Sequence, residues 1–84
     1  MRSVEFRSSA ARELRNLPAA IQSKIIPLID GLRMNPRPTA AKKLRGPGGY
    51  FRLRLGDYRI VYRVDDRCRS ILVTRIRHRK DAYR

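Results

Sequence analysis

Near the start of the chain, Val4 and Phe6 alternate with Ser3, Glu5 and Arg7, which predicts a strand with one buried face. The period then lengthens. Ala10, Leu14 and Leu17 recur at helical spacing, and Ser8 or Ser9 is placed to cap that helix. Ile21, Ile25, Leu28, Ile29 and Leu32 form one stripe of a second helix from about Pro18 to Met34, with Pro18 suited to be its first residue. Pro27 interrupts that stripe: it removes one backbone bond and crowds the carbonyl of Ser23, so a kink or a break is expected. Asn35-Pro36-Arg37-Pro38 ends the helix, and the Pro-, Gly-, Lys- and Arg-rich stretch to Gly49 reads as a basic connecting loop.

From Tyr50 the period drops to two. If Gly56 and Asp57 are the central pair of a hairpin, Leu55 faces Tyr58, Arg54 faces Arg59, Leu53 faces Ile60, Arg52 faces Val61 and Phe51 faces Tyr62. One face then carries Phe51, Leu53, Leu55, Tyr58, Ile60 and Tyr62. The other carries Tyr50, Arg52, Arg54, Arg59, Val61 and Arg63, and a slip of one residue would mix the two sets. A second turn with Asp66 and Arg67 at its centre leads to a strand from about Arg69 to Arg77. That register puts Ile71 and Val73 on the apolar face beside Tyr62 and Ile60, and Leu72 and Thr74 on the arginine face. The expected architecture is α+β: an N-terminal strand, a helical hairpin, then an antiparallel β-meander with the helices packed on one face of the sheet.

Length and charge narrow the function. Eighty-four residues leave room for a single domain, 1–84. Lys+Arg total 21 against Asp+Glu 7, a net charge of +14, and the cations recur along the chain rather than forming a terminal tail, so a basic folded face meant for a polyanion is expected. Arginine dominates, and its planar fork suits bidentate contact with phosphate. Cys68, the one cysteine, excludes an internal disulfide and a thiol metal cluster. It sits in or beside a turn and has no evident role. Asp65 and Asp66 lie at one turn without metal-ligand spacing, which argues against a metal-dependent nuclease. With no apolar run of the signal-peptide or membrane-spanning kind, a cytoplasmic location is expected.

Arg54 opposite Arg59, with Arg52 nearby, sets like charges face to face, and that weakens a sheet. Any one of these arginines is explained as a solvated surface residue; the constellation asks for a bound anion. The run Asn35-Pro36, Lys43-Leu44-Arg45-Gly46, YFRLRLGDYRIVYRVDD (Tyr50 to Asp66) and RHRKDAYR (Arg77 to Arg84) resembles the RelE/ParE superfamily of type II toxins, in order and over nearly the whole chain. In the RelE-like, ribosome-dependent branch the resemblance implies an endoribonuclease whose site comprises Arg52 and Arg54 before the turn, Arg59 after it, and Arg79 and Tyr83 near the C-terminus. Lys42, Lys43, Arg45, Arg63, Arg77 and His78 flank these positions and are the expected RNA contacts.

The implied chemistry is attack of a ribose 2′-hydroxyl on the adjacent phosphate, with no metal and no cofactor. Fixed guanidinium groups would stabilise the phosphorane, with Arg59 the candidate, Arg79 the donor to the leaving oxygen and Tyr83 a stacking or hydroxyl-orienting group. The family more often has lysine where this chain has Arg52 and Arg54. Arginine keeps its proton, so neither is a convincing general base, and the base would come from ribosomal RNA, water or another side chain. His78 could substitute as acid or base, although its neighbour in a strand points the other way, which favours a strand-end role. The alternatives are a ParE-like inhibitor of DNA gyrase, which is not an enzyme, and a plain RNA- or ribosome-binding protein. The partners implied are the ribosome and its mRNA, and a cognate antitoxin whose acidic segment wraps the toxin.

Overall fold

The computed structural model describes residues 1–78. In chain order it forms β1 (Ser3–Phe6), α1 (Ser8–Arg15), α2 (Ala19–Gly31), β2 (Lys42–Lys43), β3 (Tyr50–Leu55), β4 (Tyr58–Asp65) and β5 (Ser70–His78). The strands make one sheet in the order β1-β5-β4-β3-β2. β1 runs parallel to β5 and every other pairing is antiparallel. The chain between these two strands runs through the helical hairpin and then β2, β3 and β4, so the parallel pair has the long connection it needs.

β1 keeps its extended backbone through Arg7, whose N–H donates to the Val73 carbonyl at 2.9 Å. The helix therefore begins at Ser8 with Arg7 at the cap position and no side-chain capping bond; neither Ser8 nor Ser9 caps it, because the sheet still holds the residue before them. Pro18 caps α2 instead of opening it. α2 also ends three residues earlier than its stripe suggests. Beyond Gly31 the N–H groups of Leu32, Arg33 and Met34 reach back only three residues, a tightened turn that drops Leu32 into the core. The helix passes through Pro27 unbroken. Ser23, Ile26 and Pro27 are all exposed, so the carbonyl deprived of its donor is open to water and the cost stays outside the core.

The hairpin of β3 and β4 has the register expected from Gly56-Asp57, Leu55 to Tyr58 through Tyr50 to Arg63. Gly56 has φ +57° and Asp57 does not share that left-handed geometry, the pattern of a turn that wants glycine first. β4 and β5 differ from expectation. Asp65 pairs with Ser70, so the turn holds four residues, Asp66 to Arg69, instead of two. The Asp65 carboxylate accepts the N–H groups of Arg67 and Cys68 at 2.9 and 3.1 Å, a side-chain turn that local spacing does not reveal. The slip is by two residues, so Ile71 and Val73 keep their apolar face, now with Val73 rather than Ile71 beside Tyr62.

A second correction lies further along β5. Between Val61 and Tyr62 on one side and Arg75 and Val73 on the other the register shifts, leaving Thr74 without a partner. Thr74 is buried and donates to the Val61 carbonyl at 3.2 Å, so it presents no open surface at this point of the sheet. This β-bulge reverses the alternation: Ile76 enters the core opposite Ile60, and Arg75 and Arg77 turn to the other side. The core is formed by Ala10, Ile25, Ile29 and Leu32 from the helical segment against Phe51, Leu53, Ile60, Tyr62, Val64, Ile71, Val73 and Ile76 from the sheet. Tyr62 keeps its hydroxyl satisfied on the Pro36 carbonyl at 2.9 Å. Burial pushes this phenol up to about 12, against the pull of the Arg37 charge.

Candidate nucleic-acid interface

The face of the sheet turned away from the helices is built in cross-strand rows. One row runs Lys42, Arg52, Val61, Arg75 across β2, β3, β4 and β5; the next runs Arg54, Arg59, Arg77; a third runs Tyr50, Arg63, Leu72. With strands about 4.8 Å apart, six cations fall in the first two rows. Arg54 and Arg75 are exposed, and Arg52, Arg59 and Arg77 are half-buried. Their charges repel one another, so the surface is primed for an anion that lies across several strands.

Arg52, Arg54 and Arg59 come together on this face, and Arg77 joins them directly opposite Arg59. Lys42 joins as well. The stretch expected to be only a connecting loop contains β2, which pairs Lys42 with Arg52 and Lys43 with Phe51, so Lys42 shares the arginine face and Lys43 shares the other. Arg45 is exposed in the following loop. Arg63 holds that loop, donating from Nε to the Gly48 carbonyl at 2.9 Å. His78 pairs with Tyr58 on the helix side, its ring edge-on with centroids 5.0 Å apart, and so lies apart from the arginine rows. Arg79 and Tyr83 lie outside the described residues.

Arg75 is the member that sequence reasoning missed. Strict alternation from Ile71 and Val73 would send Arg75 and Arg77 inward, and only the extra residue at Thr74 restores them to the outer face. The available signal was that Ile76, rather than Arg75 or Arg77, is the apolar residue after Val73.

The aspartates of the β4–β5 turn are placed elsewhere. Asp66, at the far end of β4 from the Gly56-Asp57 turn, receives Arg2 at 2.7 Å and Arg37 at 2.9 Å, and hydrogen bonds from the guanidinium groups of Arg37 and Arg2 hold its carboxyl below the ordinary aspartate value. Backbone N–H donation, first from Cys68, does the same for Asp65. Arg37 in turn lies 5.7 Å from the Phe51 ring centroid. Among the described residues no group of three or more His, Cys, Asp or Glu could hold a metal ion, and no helix is long and apolar enough to cross a membrane.

Helices on one face of a five-stranded sheet and rows of arginines on the other define a small α+β protein with a face suited to a polyanion. The comparisons narrow this. A profile described as the ParE toxin of type II toxin–antitoxin system, parDE, matches residues 4–83, and the chain belongs to this family, within the RelE/ParE superfamily. Toxin RelG of Mycobacterium tuberculosis is 34% identical over 98% of this chain and 95% of its own length. The isolated E. coli RelE toxin superposes with TM-score 0.84 at 25% identity, over 93% of this chain and 84% of that one. The toxin in an archaeal RelE–RelB complex from Pyrococcus horikoshii gives TM-score 0.82 at 29% identity, over 93% and 94%.

Proposed function

We propose that this chain is the toxin of a type II toxin–antitoxin pair and acts as a metal-independent, ribosome-dependent endoribonuclease on mRNA. The observation that carries the reading is the row Arg54, Arg59, Arg77 with Arg52 beside it: arginines set in register across neighbouring strands, on the open face of a protein whose relatives are RelE and RelG toxins. RNA brings its own nucleophile. The 2′-hydroxyl attacks the neighbouring phosphorus, a phosphorane forms with added negative charge, and the 5′-oxygen leaves with a proton. Preorganised donors aimed at that charge supply the largest share of such catalysis, and Arg59, in the middle of the row, is assigned this role.

Arg52 and Arg54 bind the scissile phosphate and polarise the 2′-hydroxyl without removing its proton, since arginine stays charged; the base is ribosomal RNA, water or another side chain. Arg79 protonates the leaving oxygen, and Tyr83 stacks on a base or orients a hydroxyl. Lys42, Arg45, Arg63 and Arg77 contact the flanking RNA, while Lys43 and His78, on the helix side of the sheet, stand outside that contact. The whole of 1–84 works as one cytoplasmic domain. Its partner is an acidic antitoxin segment, by likeness to toxins crystallised with RelB and by charge complementarity with a +14 chain.

The profile that matches 4–83 carries the ParE name, and that favours one second reading, inhibition of DNA gyrase without catalysis. Brief induction in cells followed by mapping of RNA 5′ ends separates the two. New ends inside translated messages are expected; intact messages with accumulating double-strand DNA breaks would establish the gyrase reading instead.

A further inference from the structure

Glu13 belongs to α1, yet its carboxylate ends at β5, 63 residues away in sequence. One oxygen accepts the Ile76 N–H at 3.0 Å and the other accepts Arg77 Nε at 3.0 Å. The local reason is topological. β1 pairs with β5 only as far as Val73, so beyond that point, among the described residues, no strand lies beside this edge of β5. The Ile76 N–H points out from that edge in a residue that is 2% exposed, and a donor left unpaired there is costly. α1 lies against β5 and supplies the missing acceptor through Glu13.

The second oxygen does something the edge does not require. Arg77 is the outer member of the row Arg54, Arg59, Arg77, where repulsion would drive it away from its neighbours. Arg77 lines, with Glu13, Leu17, Tyr58 and His78, an open cleft of about 520 Å3, in which a guanidinium without an anchor has room to move. Glu13 engages Nε alone. Guanidinium carries five donors, and among the described residues the two terminal nitrogens of Arg77 have no hydrogen bond, so they remain for a ligand. The side chains of Arg77 and Glu13 are 34% and 23% exposed; water and salt screen the pair, so its main effect is on orientation rather than on stability.

We infer that Glu13 is a positioning residue for the basic face: by taking Nε it fixes the Arg77 guanidinium at the β5 end of the row begun by Arg54 and Arg59, with the terminal nitrogens left for an RNA phosphate. This rests on the nuclease reading above. Glu13→Gln is the informative variant, because its amide oxygen still accepts the Ile76 N–H while the charge that draws Arg77 is gone.

Three measurements together decide it. In single-turnover cleavage on programmed ribosomes at saturating toxin, Glu13→Gln is expected to slow the cutting step by about 10- to 100-fold, the scale of a misplaced reacting geometry. Ribosome affinity should not weaken, since a negative charge has been removed. Arg77→Ala is expected to slow the step comparably, and adding Glu13→Gln to it should slow it no further. The third measurement is independent of activity: the 15N–1H signal of Arg77 Nε is slow to exchange in the parent and loses that protection in Glu13→Gln, at an unchanged melting temperature. Cleavage by Glu13→Gln at the parental rate, multiplicative losses in the double variant, or an unaltered Arg77 signal each overturn the inference. An inert parent with a protected Arg77 signal sinks the nuclease reading and this inference with it, whereas an active parent with a normal Glu13→Gln sinks this inference alone.

Discussion

Arg59 is flanked by Arg54 on one side and Arg77 on the other, and its value to RNA depends on which property of those neighbours matters. If total charge were enough, loss of one guanidinium from a +14 chain would pass almost unnoticed. Placement is different, because a group aimed at the phosphorane acts only where the charge develops. Arg59→Ala is therefore expected to lower the single-turnover cleavage rate by about 10²- to 10³-fold, the scale for an oriented electrostatic donor, with a far smaller change in ribosome affinity. Parental cleavage at saturation would reduce Arg59 to a binding contact. At this scale the sequence was informative for Arg52, Arg54 and Arg59, because alternation and one turn sufficed to put them together. It was uninformative for Arg75, and for the way Glu13 holds Arg77, because both depend on an irregularity in a strand and an edge left uncovered.

The hairpin of β3 and β4 carries most of the basic face, and its register depends on two residues. Gly56 sits at φ +57° with open space where a Cβ would be, so an alanine there meets no clash and the cost is purely that of the left-handed backbone. Gly56→Ala should lower the unfolding free energy by about 1–2 kcal/mol, and Gly56→Asn by less, since asparagine visits that region more readily. Denaturant midpoints at constant slope measure this; equal stability of Gly56→Ala and the parent would contradict the turn geometry. At the other end of β4 the same kind of local reasoning fell short. A two-residue turn at Asp66-Arg67 is plausible from composition, but the Asp65 carboxylate binds two backbone donors and draws four residues into the turn. The slip by two preserves the faces, and the bulge at Thr74 then inverts them.

Across the whole molecule, acids and bases are sorted. Asp66 is engaged by Arg2 and Arg37 and Asp30 by Arg33, all away from the arginine rows, where Glu13 alone of the carboxylates in described ion pairs reaches in, to Arg77. On the proposed function this face would bind RNA by displacing counterions, so the logarithm of ribosome affinity should fall linearly with the logarithm of salt concentration, with a slope of roughly −0.7 to −0.9 per phosphate contacted. Six cations in two rows set the upper range of that slope. A titration from low to physiological salt measures it, and affinity indifferent to salt would mean that the rows do not contact the phosphates.

The chain by itself determined the two helices, the sorting of β3 and β4 into an apolar and an arginine face, and the excess of positive charge. These follow from periodicity and from one glycine turn, which act between residues close in sequence. Resemblance in the Tyr50 to Asp66 run supplied the family. Tertiary structure decided the rest: β1 lying parallel to β5, Lys42 paired beside Arg52, Thr74 bulging so that Ile76 goes in and Arg75 and Arg77 go out, and Glu13 closing the bare edge of β5. Each is settled by a backbone group or charge that must find a partner remote in sequence. Local spacing specifies which face a side chain prefers, but only the assembled sheet determines which edges are left open and what covers them.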